Sequence, residues 1–152
     1  MGMRDQTNPR GGNLASNRRI LAEALEWPGV HTERGRFGAT ALYLHRRELG
    51  HLHGDRVADL PLPRTLRDRL VRAGAAQEHR WRPDSGWITI ALDSDRAVFE
   101  VLALLRTNYE RGLAAADRRD VAKQARDASA GDRLAGVGIA TAAAAGPSFE
   151  NR

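Results

Sequence analysis

Two histidines, His51 and His53, stand two residues apart in ELGHLHGDRVADLPLP, the run from Glu48 to Pro63, which holds more polar side chains than core packing requires. If this run is a strand, alternate side chains share a face, so both imidazoles project from one side with Leu49 in the same row. Imidazole is the side chain suited to taking or giving a proton near neutral pH, and it is also a common metal ligand. A histidine row of this kind lines a site. The elements around it must present that row to a ligand.

Composition sets the frame for those elements. A chain of 152 residues supports one domain with a modest core. The sequence has no cysteine, which excludes disulfides, thiolate nucleophiles and cysteine-bound zinc and leaves histidine and carboxylate as the strong metal ligands. The formal charge is +5, yet all of the 24 lysines and arginines except Lys123 are arginines interleaved with Asp and Glu. No basic stripe with interleaved aromatics stands out, so nucleic acid is not an expected partner. The opening MGMRDQTNPRGGNLASNRR lacks the apolar stretch of a signal peptide, and no run approaches the roughly 20 apolar residues that span a bilayer. The expectation is a soluble cytoplasmic protein with a small-molecule ligand and no membrane partner.

Residues 1–15 are polar, rich in Gly and Asn and without periodicity, and are expected to form a disordered leader. Ser16 or Asn17 is placed to cap a helix carrying Ile20, Leu21, Ala24 and Leu25, which ends before Trp27-Pro28-Gly29. Extended segments are expected at Val30 to Thr32, Phe37 to Leu44 and Glu48 to His53. The two prolines of Asp59-Leu60-Pro61-Leu62-Pro63 then close the strand block and start a helix reaching about Ala73. In that helix Leu66, Leu70 and Val71 make the apolar row, while Arg64, Arg67, Asp68, Arg69 and Arg72 make the wet side.

Ala76 to Trp81 and Trp87 to Leu92 flank Arg82-Pro83-Asp84-Ser85-Gly86, which reads as a hairpin turn. A last helix begins near Asp93 to Asp95, with Val98, Val101, Leu102 and Leu105 at core spacing. The fold class is therefore α+β: a single small domain with a mainly antiparallel sheet of about five strands and helices on one face, in the order α-β-β-β-α-β-β-α. The domain is expected over residues 16–112, an Ala/Arg-rich helical extension over 113–128 and a disordered Ala/Gly-rich tail over 129–152.

The segments Glu48-Leu49-Gly50-His51-Leu52-His53-Gly54, Asp59-Leu60-Pro61-Leu62-Pro63, His79, Ser85-Gly86-Trp87, Leu104-Leu105-Arg106 and Tyr109-Glu110-Arg111 resemble the luciferase-domain family. That family takes its name from a domain shared with fungal luciferase, an oxygenase that adds dioxygen to a hydroxylated pyrone. The resemblance spans roughly Trp27 to Arg111. It implies a shared small-molecule site built from His51, His53, Asp59, His79 and Trp87. No sequence feature specifies a pyrone pocket or light emission.

Three chemical readings of these residues are open. In one, His51, His53 and His79 converge on zinc or iron. In another, no metal or other cofactor is needed: His51 or His53 removes a proton from an enolic or phenolic substrate, another histidine or Arg47 holds the anion, and dioxygen reacts with it. In the third, the histidines bond to Asp55, Asp59 or backbone and pin the Asp-Leu-Pro-Leu-Pro turn. The expected site has His51 and His53 as catalytic groups, with Asp59, His79, Trp87 and Arg47 binding substrate. The function read from it is an oxygenase-like enzyme, with a non-catalytic small-molecule-binding or protein-interaction module as the alternative.

Other candidates carry less. Ser85 lacks a strand-to-helix elbow and an assigned base and reads as a turn residue. Glu48 falls on the strand face opposite the histidines under strict alternation. Trp81 and Trp87 read as cross-strand packing partners, or one of them as the wall of an aromatic ligand site. No glycine-rich loop follows a strand, so a nucleotide cofactor is not supported.

Overall fold

A computed structural model of the protein describes the backbone of residues 12–140 and the side chains of residues 16–133. It is an α+β fold. In chain order the elements are α1 (Gly12–Ala24), β1 (Val30–Arg34), β2 (Thr40–Leu44), β3 (Arg47–His53), β4 (Val57–Pro61), α2 (Arg64–Arg72), β5 (Gln77–Glu78), β6 (Trp87–Ala91) and α3 (Asp95–Ala140). The sheet has six strands in the order β1-β2-β3-β4-β6-β5, and every neighbouring pair is antiparallel. The additional strand is β4. Pro61 is its last residue, where a missing backbone N–H costs no interior ladder bond, so the first proline of the Asp-Leu-Pro-Leu-Pro run ends a strand instead of preventing one.

Alternation along the strands separates two faces. Leu42, Leu44, Leu52, Ala58, Leu60, Ile88 and Ile90 are buried in the core with Ile20 and Ala24 of α1 and Val98, Val101, Leu102, Leu105 and Tyr109 of α3. Burying such aliphatic side chains contributes about 1.5–3 kcal/mol each, which makes this one-sided layer the main stabilising feature of the domain. Helices thus cover one face of the sheet, and the other carries His51, His53, Asp59 and Thr89.

Several boundaries differ from the sequence-based expectations. Helix α1 begins at Gly12, so Ser16 lies inside it and is buried, while residues 1–11 of the expected leader lie outside the described residues. Strand β2 starts only at Thr40, because Arg36–Gly38 form a short 3-10 turn with Phe37 at φ 56 and its ring 94 % exposed. Arg67 is buried rather than wet. Its guanidinium bonds to Asp68 Oδ1 at 2.7 Å, to Glu78 Oε1 at 2.8 Å and to the Pro83 carbonyl, fastening the β5–β6 connection to α2.

The chain divides into two compact units, Met1–Gly112 and Leu113–Arg152. In the second, the helical backbone continues to Ala140, past the expected end of the extension at 128, because Ala-rich sequence without proline propagates helix. Residues 141–152 of the expected tail lie outside the described residues. Among the described residues no helix is long and apolar enough to cross a membrane.

Candidate functional site

Register across the sheet builds the site. His51 of β3 pairs with Asp59 of β4, and Asp59 pairs with Thr89 of β6, so three polar residues form one row on the face opposite the helices. His53 follows His51 on that face, their rings 4.9 Å apart and edge to face. His79 arrives from the connection just after β5. Asp59 is buried, and its Oδ2 is the meeting point: His53 Nε2 lies 3.1 Å away, His51 Nε2 3.3 Å and His79 Nε2 3.4 Å. The Thr89 hydroxyl donates to the other oxygen, Oδ1, which fixes the carboxylate plane.

Glu48 completes this cluster, against the expectation from strict alternation. Its Oε1 is 2.7 Å from His51 Nδ1. The cause is a β-bulge: Leu42 pairs with Gly50 and Tyr43 with Glu48, leaving Leu49 without a partner across the strand. The extra residue resets the alternation. Glu48 and His51 share the open face, and Leu49, expected in the histidine row, is fully buried on the core side. Two residues hold the bulge. A Cβ on Gly50 would lie 2.9 Å from the Asp59 carbonyl oxygen, so only glycine fits, and the buried Asn108 Nδ2 donates to the carbonyls of Leu49 at 2.9 Å and Pro61 at 2.8 Å. A glycine inside a strand was the available signal for the bulge. Asn108 had none beyond a polar residue near an apolar helix stripe.

Charge in the cluster is polarised. Burial by itself pushes His51 toward the neutral form and is the largest single influence. The hydrogen bonds and charges of Asp59 and Glu48 together outweigh it and hold the imidazole up at about 9. Burial likewise pushes Asp59 up, but bonds from His51 and Thr89 and the nearby charges of His79 and His51 keep its carboxyl below the ordinary range. An imidazolium between two carboxylates is therefore the neutral-pH state of His51.

These groups lie in a cleft of about 1040 Å³ that also takes in Phe37, Tyr43, Trp81 and Trp87. Trp87 pairs with Pro61 across the sheet, and its ring lies 5.2 Å from that of His51 and 6.0 Å from that of His79. Trp81 is exposed in the β5–β6 connection, with the Arg80 guanidinium 4.9 Å above its ring, and is not a cross-strand partner of Trp87. β5 ends at Glu78, so the connection is longer than the expected five-residue turn. Ser85 has a turn role: its hydroxyl donates to the Arg82 carbonyl at 2.6 Å and accepts from Trp87 N–H at 3.2 Å. Arg47 does not join the cleft. It lies on the helix side, where its Cδ is 3.3 Å from the position a Cβ on Gly112 would take.

Comparison with known proteins gives one match. The family model described as Luciferase domain covers residues 46–108, from the β2–β3 turn to Asn108 on α3. The match therefore contains the bulge, His51, His53, Asp59, His79 and Trp87. No curated protein and no solved structure matches the chain.

Proposed function

From the premise that this chain belongs to the luciferase-domain family, we propose that its open-face cleft binds a small enolic or phenolic molecule and acts on it as an oxygenase-like enzyme. The observation that carries this reading is the convergence of three imidazoles on the Asp59 carboxylate inside a cleft walled by Trp87. Its volume is of the size that small-molecule sites occupy, and it combines an aromatic wall with a few convergent polar groups.

The charge distribution supports a division of labour between the two histidines. His51, held at about 9, is already protonated at neutral pH and serves as a fixed cation that offsets Glu48 and Asp59. His53 is the base. With the ring proton on Nε2, 3.1 Å from Asp59 Oδ2, the lone pair lies on Nδ1, which accepts the proton of the substrate hydroxyl, and the Asp59 charge stabilises the imidazolium that results. The enolate carbon then supplies an electron pair to dioxygen. One C–O bond forms, dioxygen is reduced to the peroxide level, and the terminal oxygen takes the proton back from His53.

A thermal-shift screen of the full chain against hydroxylated aromatic and pyrone compounds, with oxygen uptake recorded on each hit, tests the reading. Hits that consume oxygen support the enzyme. Hits that bind without oxygen uptake would make the domain a binding module. A folded His51→Ala/His53→Ala double variant that binds and turns over every hit like the parent would remove the site assignment.

A further inference from the structure

The polar cluster has more donors than its acceptor can serve. Asp59 Oδ2 faces three Nε2 atoms, yet a carboxylate oxygen offers only about two lone-pair directions. The three separations, 3.1, 3.3 and 3.4 Å, are also longer than the roughly 2.7–2.9 Å of a charge-assisted N–H···O bond. Those from His51 and His79, 3.3 and 3.4 Å, fit another arrangement. Donors bound to one ion at about 2.0–2.2 Å stand roughly 3.0–3.4 Å apart along the edges of an octahedron or tetrahedron.

We infer that His51 Nε2, His79 Nε2 and Asp59 Oδ2 form a site for a divalent first-row metal ion, with its open positions toward the cleft. One ligand atom from each of these residues lies within 4.8 Å of the other two. Two histidines and one carboxylate form a ligand set suited to iron(II) or zinc, with room left for a small molecule. The outer shell is in place as well. Glu48 Oε1, 2.7 Å from His51 Nδ1, accepts that N–H and leaves Nε2 as the ligand nitrogen, and Thr89 holds the second oxygen of Asp59. His53 stands beside the site, within 3.1 Å of Asp59 Oδ2, as a further donor or as the base described above.

Loading displaces the Nε2 proton of His51, and one contact must change as well. Trp81 N–H approaches His79 Nδ1 at 3.3 Å, whereas a His79 bound through Nε2 carries its proton on Nδ1. Loading therefore turns that amide away, and Trp81 sits in the exposed connection where such a shift is local. This inference goes beyond the ligand reading and is tested without any organic ligand.

The full chain is stripped with chelator, loaded separately with zinc(II) and, under anaerobic conditions, iron(II), then dialysed and analysed for metal. Cobalt(II) titration supplies a visible ligand-field spectrum. About one ion per chain is expected, with tetra- to hexacoordinate cobalt bands. His51→Ala, His79→Ala and Asp59→Asn should each retain less than a tenth of that, Glu48→Gln should bind about 10–100-fold more weakly, and His31→Ala, outside the cluster, should match the parent. Circular dichroism identifies any variant that fails to fold, and the parent titration with Glu48→Gln then decides. A parent that holds no metal and gives no cobalt bands overturns the inference, as does equal retention by parent and all folded cluster variants. That outcome removes the metal site alone, and the ligand screen on chelator-treated protein still decides the small-molecule reading.

Discussion

Glu48 and His51 meet through a 2.7 Å contact on the open face of β3 although they are three residues apart, a spacing that strict strand alternation puts on opposite faces. The bulge at Leu49–Gly50 makes this possible, and the position of His51 depends on it. Gly50→Ala places a methyl group 2.9 Å from the Asp59 carbonyl oxygen and 3.2 Å from Leu105 Cδ2. The expected cost is about 1–3 kcal/mol of stability, read from chemical denaturation, together with weaker ligand binding. A variant as stable as the parent would show that the bulge has room to relax.

Asn108 supplies the bond that the bulge takes from the ladder. Its side chain is buried and satisfies two carbonyls, those of Leu49 and Pro61. Asn108→Leu should leave both unpaired at about 1–3 kcal/mol each. The expected outcome is a lower denaturation midpoint with an unchanged slope, checked by urea unfolding of parent and variant.

Stability of the chelator-treated protein should depend on pH in a definite sense. The folded pKa of His51, about 9, lies above the ordinary histidine value of ~6.5. A raised histidine contributes stability that is fully present below ~6.5 and is lost as pH rises through about 9. Asp59 is depressed, so its contribution is present above the ordinary carboxylate range and is lost as the solution is acidified. Thermal melts at constant ionic strength should show Tm falling between pH 7 and pH 9.5, and His51→Gln should flatten that limb. A parent profile that is level over this range would contradict the assignment of His51 as an imidazolium.

Arg67 positions His79 from a distance by tying Glu78 and the Pro83 carbonyl to α2. Arg67→Met keeps length and removes those bonds. Faster amide hydrogen exchange is expected over residues 79–86, with little change in β2 and β3, as measured by mass spectrometry. Equal exchange in parent and variant would mean that the connection is held by other contacts.

The fold class was legible in the sequence because the apolar periods of α2, α3 and β6 are clear, and Val98, Val101, Leu102 and Leu105 are indeed core. Strand β4 was less visible, since its proline reads as an interruption until its place at the strand end is known. Of the site, His51, His53, Asp59, His79 and Trp87 could be named from their resemblance to the luciferase-domain pattern, and the structure brings all of them to one cleft. Glu48 was misplaced because a single bulge reverses the face of every residue beyond it. Arg67 was misread because its burial depends on Glu78 and Pro83, which sequence spacing does not bring near α2.

The central claim is that the Asp59 carboxylate organises a ligand site on the open face. Calorimetric titration of parent and Asp59→Asn with the strongest hydroxylated aromatic or pyrone hit tests it most directly. Replacing one carboxylate oxygen by NH2 at nearly constant volume removes the charge on which His51, His53 and His79 converge. The expected result is a loss of about 10-fold or more in affinity, some 1.4 kcal/mol or above, with Asp59→Asn still folded by circular dichroism. Equal affinity in parent and folded variant would contradict the claim.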